Sequence, residues 1–150
     1  MKEIGIPVKI NLKTEIVRDF TDKEMMELIV FGTFVQKNDT VYLIYDEVQE
    51  KGNIHTIVKF NDKNGAAITR KGLVNMRLSF VENEQKTGNY RTGLGSFLLH
   101  THTEKLAFSW NPELNKGNLD IQYNFFMEEE HVGYYKMNFQ FTKVAPANRG

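Results

Sequence analysis

Leu119-Asp120-Ile121-Gln122-Tyr123-Asn124-Phe125-Phe126-Met127 runs through Glu128-Glu129-Glu130 toward Tyr135-Lys136-Met137-Asn138-Phe139-Gln140-Phe141. Leu119, Ile121, Tyr123, Phe125 and Met127 share one parity of the first arm. Tyr135, Met137, Phe139 and Phe141 share one parity of the second. Side chains alternate between the two faces of a β-strand, so each arm carries one apolar and one wet face. The three glutamates between the arms supply a solvated turn. The stretch therefore predicts a long hairpin with one buried face, which an isolated hairpin cannot cover by itself.

The same alternation extends outward through the chain. Val8, Ile10, Leu12 and Ile16 alternate with Lys9, Asn11, Lys13 and Glu15, and Val41, Leu43 and Tyr45 share a face after the turn pair Asn38-Asp39. Ile54, Thr56, Val58 and Phe60 follow Gly52-Asn53, and Asn64-Gly65 is a hairpin turn signal because both residues tolerate positive φ. Ala66 to Lys71 runs into Gly72, then Val74, Met76, Leu78 and Phe80 alternate with polar residues. Phe97, Leu99, Thr101 and Thr103 follow Gly93 and Gly95, with Leu106, Phe108 and Trp110 after them. Glu24 to Gln36 is apolar on both parities around Leu28 to Phe31, which predicts a more deeply buried strand. Thr21-Asp22-Lys23-Glu24 has capping-box spacing and predicts one helical turn at most. Roughly ten strands with short turns and no linker point to one antiparallel barrel in which consecutive strands are neighbours. Residues 1–150 form a single domain on this reading, with 145–150 a frayed tail.

Composition narrows the function classes. The 150 residues hold 19 basic and 19 acidic side chains and no cysteine. The lack of thiols removes disulfides, thiolate metal sites and cysteine nucleophiles, and suits a reducing compartment. Zero net charge argues against a nucleic-acid partner and an anionic membrane. The N-terminus, with Lys2, Glu3 and Lys9, lacks an apolar core of signal-peptide length, and the apolar stretch Leu28 to Val35 is broken by Gly32 and Thr33. A soluble cytoplasmic protein without a membrane partner is expected.

Signals for catalysis are weak. His100 and His102 lie two apart on a strand and point the same way, with Glu104 on the same parity and His131 as a downstream candidate. This metal-assisted enzyme is the least favoured alternative, because no pattern supplies a third ligand. No Gly-x-Ser-x-Gly elbow surrounds Ser79, Ser96 or Ser109, and Gly93-Leu94-Gly95 opens a strand rather than a helix. No catalytic residue, cofactor or metal site is predicted. Lys71, Arg77, Tyr90 and Arg91 interleave charge and aromaticity, yet read as a solvated mixed surface in a neutral chain.

The strongest candidate site pairs Arg70 with Glu47. By parity Arg70 continues the face of Ala66 and Ile68, and Glu47 that of Val41, Leu43 and Tyr45, so both end stripes that line the barrel interior. An inward charge needs a partner, and the planar guanidinium suits a carboxylate. Tyr90 and Tyr123 join them as candidate ligand-binding residues. Phe80, Phe97, Phe125 and Phe139 either line a cavity with them or fill the interior outright.

Tyr45-Asp46-Glu47, Thr69-Arg70-Lys71-Gly72, Met76, Phe80, Tyr90, Thr92, Gly95, Thr101, Thr103, Gly117, Tyr123 and Asn138 stand in an order that resembles the YwiB-like family of small bacterial proteins. The resemblance covers about residues 28 to 143 and departs at Leu94, where a proline is expected. It implies an all-β fold, a single antiparallel lipocalin-like (calycin) β-barrel of about eight to ten strands. It implies no established reaction or ligand. Together these readings favour a non-enzymatic barrel binding a small amphipathic or acidic ligand. The alternative is a solid-core homo-oligomeric interaction module.

Overall fold

The computed structural model describes residues 4–19 and 22–145. The expectations placed on Lys2, Glu3, Thr21 and residues 146–150 fall outside them. Ten strands follow one another: β1 (Ile4–Val17), β2 (Lys23–Lys37), β3 (Thr40–Gln49), β4 (Gly52–Asn61), β5 (Gly65–Gly72), β6 (Asn75–Phe80), β7 (Gln85–Thr92), β8 (Gly95–Asn111), β9 (Lys116–Met127) and β10 (Glu130–Lys143). Every strand is antiparallel to its sequence neighbour, and β1 closes the barrel against β10. The hairpin quoted above is β9 and β10, with Leu119, Ile121, Tyr123, Phe125, Phe139 and Phe141 all buried.

Period-two patterning accounts for the wall, and two irregularities account for its breaks in parity. On β8 the inward set changes from Leu99, Thr101 and Thr103 to Leu106, Phe108 and Trp110, because the register against β9 shifts between Thr103 and Lys105. An extra residue in one strand flips every side chain beyond it, which keeps both apolar runs facing the core. A second shift lies between His131 and Gly133 on β10.

The barrel is filled at one end. Phe34, fully buried, packs 4.8 Å from Trp110 and 4.9 Å from Phe141 between ring centroids, and Phe108 bridges from Phe141 to Phe60. Gly117 makes room for this cluster, since a Cβ there would sit 2.1 Å from the Phe141 ring. Bulky rings at native density leave no space in that half.

Two seams interrupt the ladder. Only Asn75, Met76 and Arg77 of β6 pair with β7. Beyond them Thr101 Oγ1 donates to the Ser79 carbonyl at 2.6 Å, and the Asn83 amide donates to the Thr103 carbonyl at 2.7 Å, so β8 satisfies groups that β7 leaves. The other seam stays open. β2 pairs with β3 only from Gly32 to Lys37, so Lys23–Phe31 has β1 as its sole neighbour and Asp46–Gln49 has only β4.

That seam corrects two expectations. β2 is not a deeply buried strand: Phe31 is 68% exposed, Met25 63% and Ile29 51%, because their parity faces out beside an unpaired edge. Lys23 and Glu24 are already extended, so no helical turn follows the capping-box residues that are described. A helix there would forfeit the pairing of Val17 with Lys23 and Ile16 with Glu24. Among the described residues no helix is long and apolar enough to cross a membrane.

Candidate functional site

Opposite the aromatic plug, the barrel holds a cavity of about 390 Å³. Leu12, Met26, Leu28, Ile68, Met76, Leu78, Met137 and Phe139 give it apolar walls, and Tyr45, Thr56, Tyr123 and Tyr135 add hydroxyls. Glu27 also lines it although its parity faces outward, which places the mouth across the free edge of β2. The cavity and the open seam are thus one feature. The strands that part between β2 and β3 leave a side entrance to the hollow half.

Arg70 and Glu47 stand inside this entrance. β5 presents Arg70 directly opposite Thr56 of β4, and β3 presents Tyr45 opposite Thr56 from the other side. Arg70 Nη2 donates to Glu47 Oε2 at 2.9 Å, with the two side chains 27% and 16% exposed. Thr56 Oγ1 donates to the same carboxylate oxygen at 3.5 Å. A guanidinium carries five N–H donors, so the bond to Glu47 leaves most of the fork available.

The phenols are tuned by the same enclosure. Burial pushes the Tyr45 phenol well above its ordinary 10.0, the Glu47 charge adds to the rise and Arg70 opposes it. Burial likewise pushes up Tyr123, whose ring stacks 5.3 Å from Tyr135 and whose hydroxyl donates to Met137 Sδ at 3.5 Å. Both stay neutral at physiological pH and serve as hydrogen-bonding groups rather than bases. In an unfolded chain each titrates near 10, so stability is full below about pH 10 and falls as pH rises above it, by at most about 1.4 kcal/mol per unit for each phenol. Urea midpoints at pH 9 and pH 11 check this, and Tyr123→Phe should shrink the drop.

Three of the four residues expected from the sequence meet here: Arg70, Glu47 and Tyr123. Tyr90 does not line the cavity. Its ring lies 6.2 Å from Phe97 and packs at the margin of the core, on the strand beside Met76, with which it is paired. Of the other aromatics Phe139 lines the cavity, while Phe80 and Phe125 are buried in packed core. Tyr45, Thr56 and Met76 belong to the site and were missed as site residues, although the alternation puts all three on the inward face. His100 and His102 project outward; Gln85 Nε2 lies 3.4 Å from His100 Nδ1. Glu104 accepts from Asn124 Nδ2 and the Tyr134 hydroxyl, and His131 Nε2 meets Asn124 Oδ1 at 2.9 Å. No group of three or more His, Asp or Glu that could hold a metal ion occurs among the described residues.

A family model described as a domain of unknown function, DUF1934, matches residues 10–139. The chain belongs to the DUF1934 family. A relative within reach of this DUF1934 chain is the uncharacterized β-barrel protein YwiB of Bacillus subtilis (strain 168), 28% identical over 128 residues that cover 84% of this chain and 87% of that protein. The crystal structure of ywiB protein from Bacillus subtilis superposes with a TM-score of 0.80 at 26% identity, covering 94% of each chain. The resemblance read from Tyr45 to Asn138 is thereby borne out, and so is the all-β antiparallel barrel. The DUF1934 match spans every residue of the cavity wall from Leu12 to Phe139.

Proposed function

We propose that this DUF1934 barrel is a non-enzymatic cytoplasmic binding protein for a small amphipathic molecule. Its apolar part lies among Leu12, Leu28, Met76 and Phe139, and its acidic head faces Arg70. The observation that carries this reading is a charged pair set inside an apolar cavity with a side entrance. Burying an ion pair gives little net stability compared with apolar residues of the same volume, so its presence at a cavity mouth favours a recognition role. The open donors of Arg70 suit a carboxylate by charge-assisted, two-point hydrogen bonding. A volume of about 390 Å³ is within the range of small-molecule sites.

Displacement of an environment-sensitive fluorophore tests the reading. Saturated medium-chain carboxylates should compete, and the matching alcohols should compete about tenfold more weakly, since a hydrogen bond to a charged group is worth about 1.5–3 kcal/mol. If neither class displaced the probe, the proposal would fall.

A second reading, the homo-oligomeric interaction module, draws on the seam. An unpaired strand edge with Met25, Ile29 and Phe31 exposed beside it is a template for another chain. Light scattering after size exclusion should then give a dimer, and Phe31→Lys should return it to monomer. A monomeric wild type at high concentration removes this reading.

A further inference from the structure

Strands β4, β5, β6 and β7 are adjacent in the wall and contain no Asp or Glu at any position. Their outward positions hold Lys59, Lys71, Arg77 and Arg91, all exposed. None of these four has a carboxylate partner among the described residues. The nearest acid across the register, Asp46 on β3, is occupied by His55 Nδ1 at 2.6 Å. The opposite wall mixes acids with its cations: Lys23 and Lys136 both reach Glu15, at 3.5 and 3.8 Å, and Lys105 reaches Asp120 at 4.0 Å, although Lys9 and Lys13 of β1 are exposed without a carboxylate partner among the described residues. The neutral net charge of the chain therefore hides a segregated basic face.

This face has a shape as well as a charge. A depression of about 300 Å³ follows β5, with Ala67 and Thr69 on its floor. Lys59 stands opposite Ala67 on β4, and Arg77 stands opposite Thr69 on β6. Lys71 marks one end of the trough, and Arg91, opposite Asn75, extends the charge by one more strand. Rows two residues apart lie about 7 Å apart and strands about 5 Å, so Lys71, Arg77 and Arg91 are spaced by roughly 8–10 Å. Tyr42 adjoins Lys59 at the trough's edge and offers a ring on which a base can stack. Small residues between long cationic ones make a channel about one strand wide. That suits a linear polyanion, whereas a membrane surface would want apolar groups protruding from the trough itself, and the exposed ones nearby, Leu73 and Leu94, stand in the hairpin loops beyond its end.

We propose that the outer face of β4 to β7 binds the phosphate backbone of a single-stranded nucleic acid along β5, independently of the cavity and without base specificity. With about four phosphates neutralised, log K should fall against log salt with a slope of about −3. The test is fluorescence anisotropy of a labelled mixed-sequence oligonucleotide of about twenty nucleotides, titrated with the full chain over a salt series spanning the ionic strengths used for such slopes. Saturable binding with that slope is expected, with at least tenfold loss in the combined Lys71→Glu, Arg77→Glu, Arg91→Glu variant. The combined Lys9→Glu, Lys13→Glu, Lys136→Glu variant, with the same change in net charge on β1 and β10, should stay within about twofold of wild type on this local-contact argument. No saturation at the lowest salt, equal loss in both variants, or stronger capture by anionic phospholipid vesicles than by the oligonucleotide would each overturn the assignment.

Discussion

Phe34→Ala should lower folding stability by about 3–5 kcal/mol, the cost of emptying a fully buried aromatic position. Phe34 has no exposed surface and touches three other rings, those of Phe108, Trp110 and Phe141. Neighbouring strands cannot close over the void, because β2 is paired on both sides at this level, Phe34 facing Ile6 of β1 and Leu43 of β3. Total stabilities of single domains are about 5–15 kcal/mol, so the variant should sit near the edge of unfolding. Urea denaturation with an unchanged m-value checks it. Leu28 borders the cavity and is only half-buried, so its truncation to Ala should cost distinctly less than removal of Phe34.

Arg70→Met should cost about 3 kcal/mol and also weaken any acidic ligand. The loss comes from stranding Glu47, only 16% exposed, without its cation. Removing one partner of a buried pair typically costs about 3–5 kcal/mol, and the partial solvation of Arg70 places the effect at the low end. The double variant Arg70→Met, Glu47→Met should recover most of that stability and none of the acidic-ligand affinity. Chemical denaturation of all four members of the cycle, together with the displacement titration, separates structural from recognition roles.

Much of the barrel is legible in the residues themselves. Leu119 to Phe141 reads as a hairpin with one buried face because inward apolar and outward polar positions alternate cleanly, and the structure pairs Leu119 with Phe139 and Ile121 with Met137. The inward parity of Arg70 and Glu47 is legible for the same reason. What is not legible is where two paired strands part. Met25, Ile29 and Phe31 look buried in the sequence because with both parities apolar nothing local says which one faces outward, or that β3 leaves β2 after Gly32. A Cβ at Gly32 would lie 2.3 Å from the Ile44 carbonyl, so this glycine marks the close approach at which the pairing ends. Tyr90 lies outside the cavity although it pairs with the cavity-lining Met76, so strand parity alone does not say which inward side chains border the hollow half. Charge segregation is equally invisible to a net-charge count, since it depends on which strands become neighbours.

The methionines provide the most direct test of a hollow, ligand-accepting barrel. Met26, Met76 and Met137 line the cavity, while Met25 lies on the outer surface. With methyl-labelled methionine and dodecanoate as the probe, NMR titration should shift the Met76 and Met137 methyl signals saturably, leave Met25 in place, and lose the response in the Arg70→Met variant. Methyl signals of Met76 and Met137 that stay fixed, or a response confined to Met25, would contradict the account.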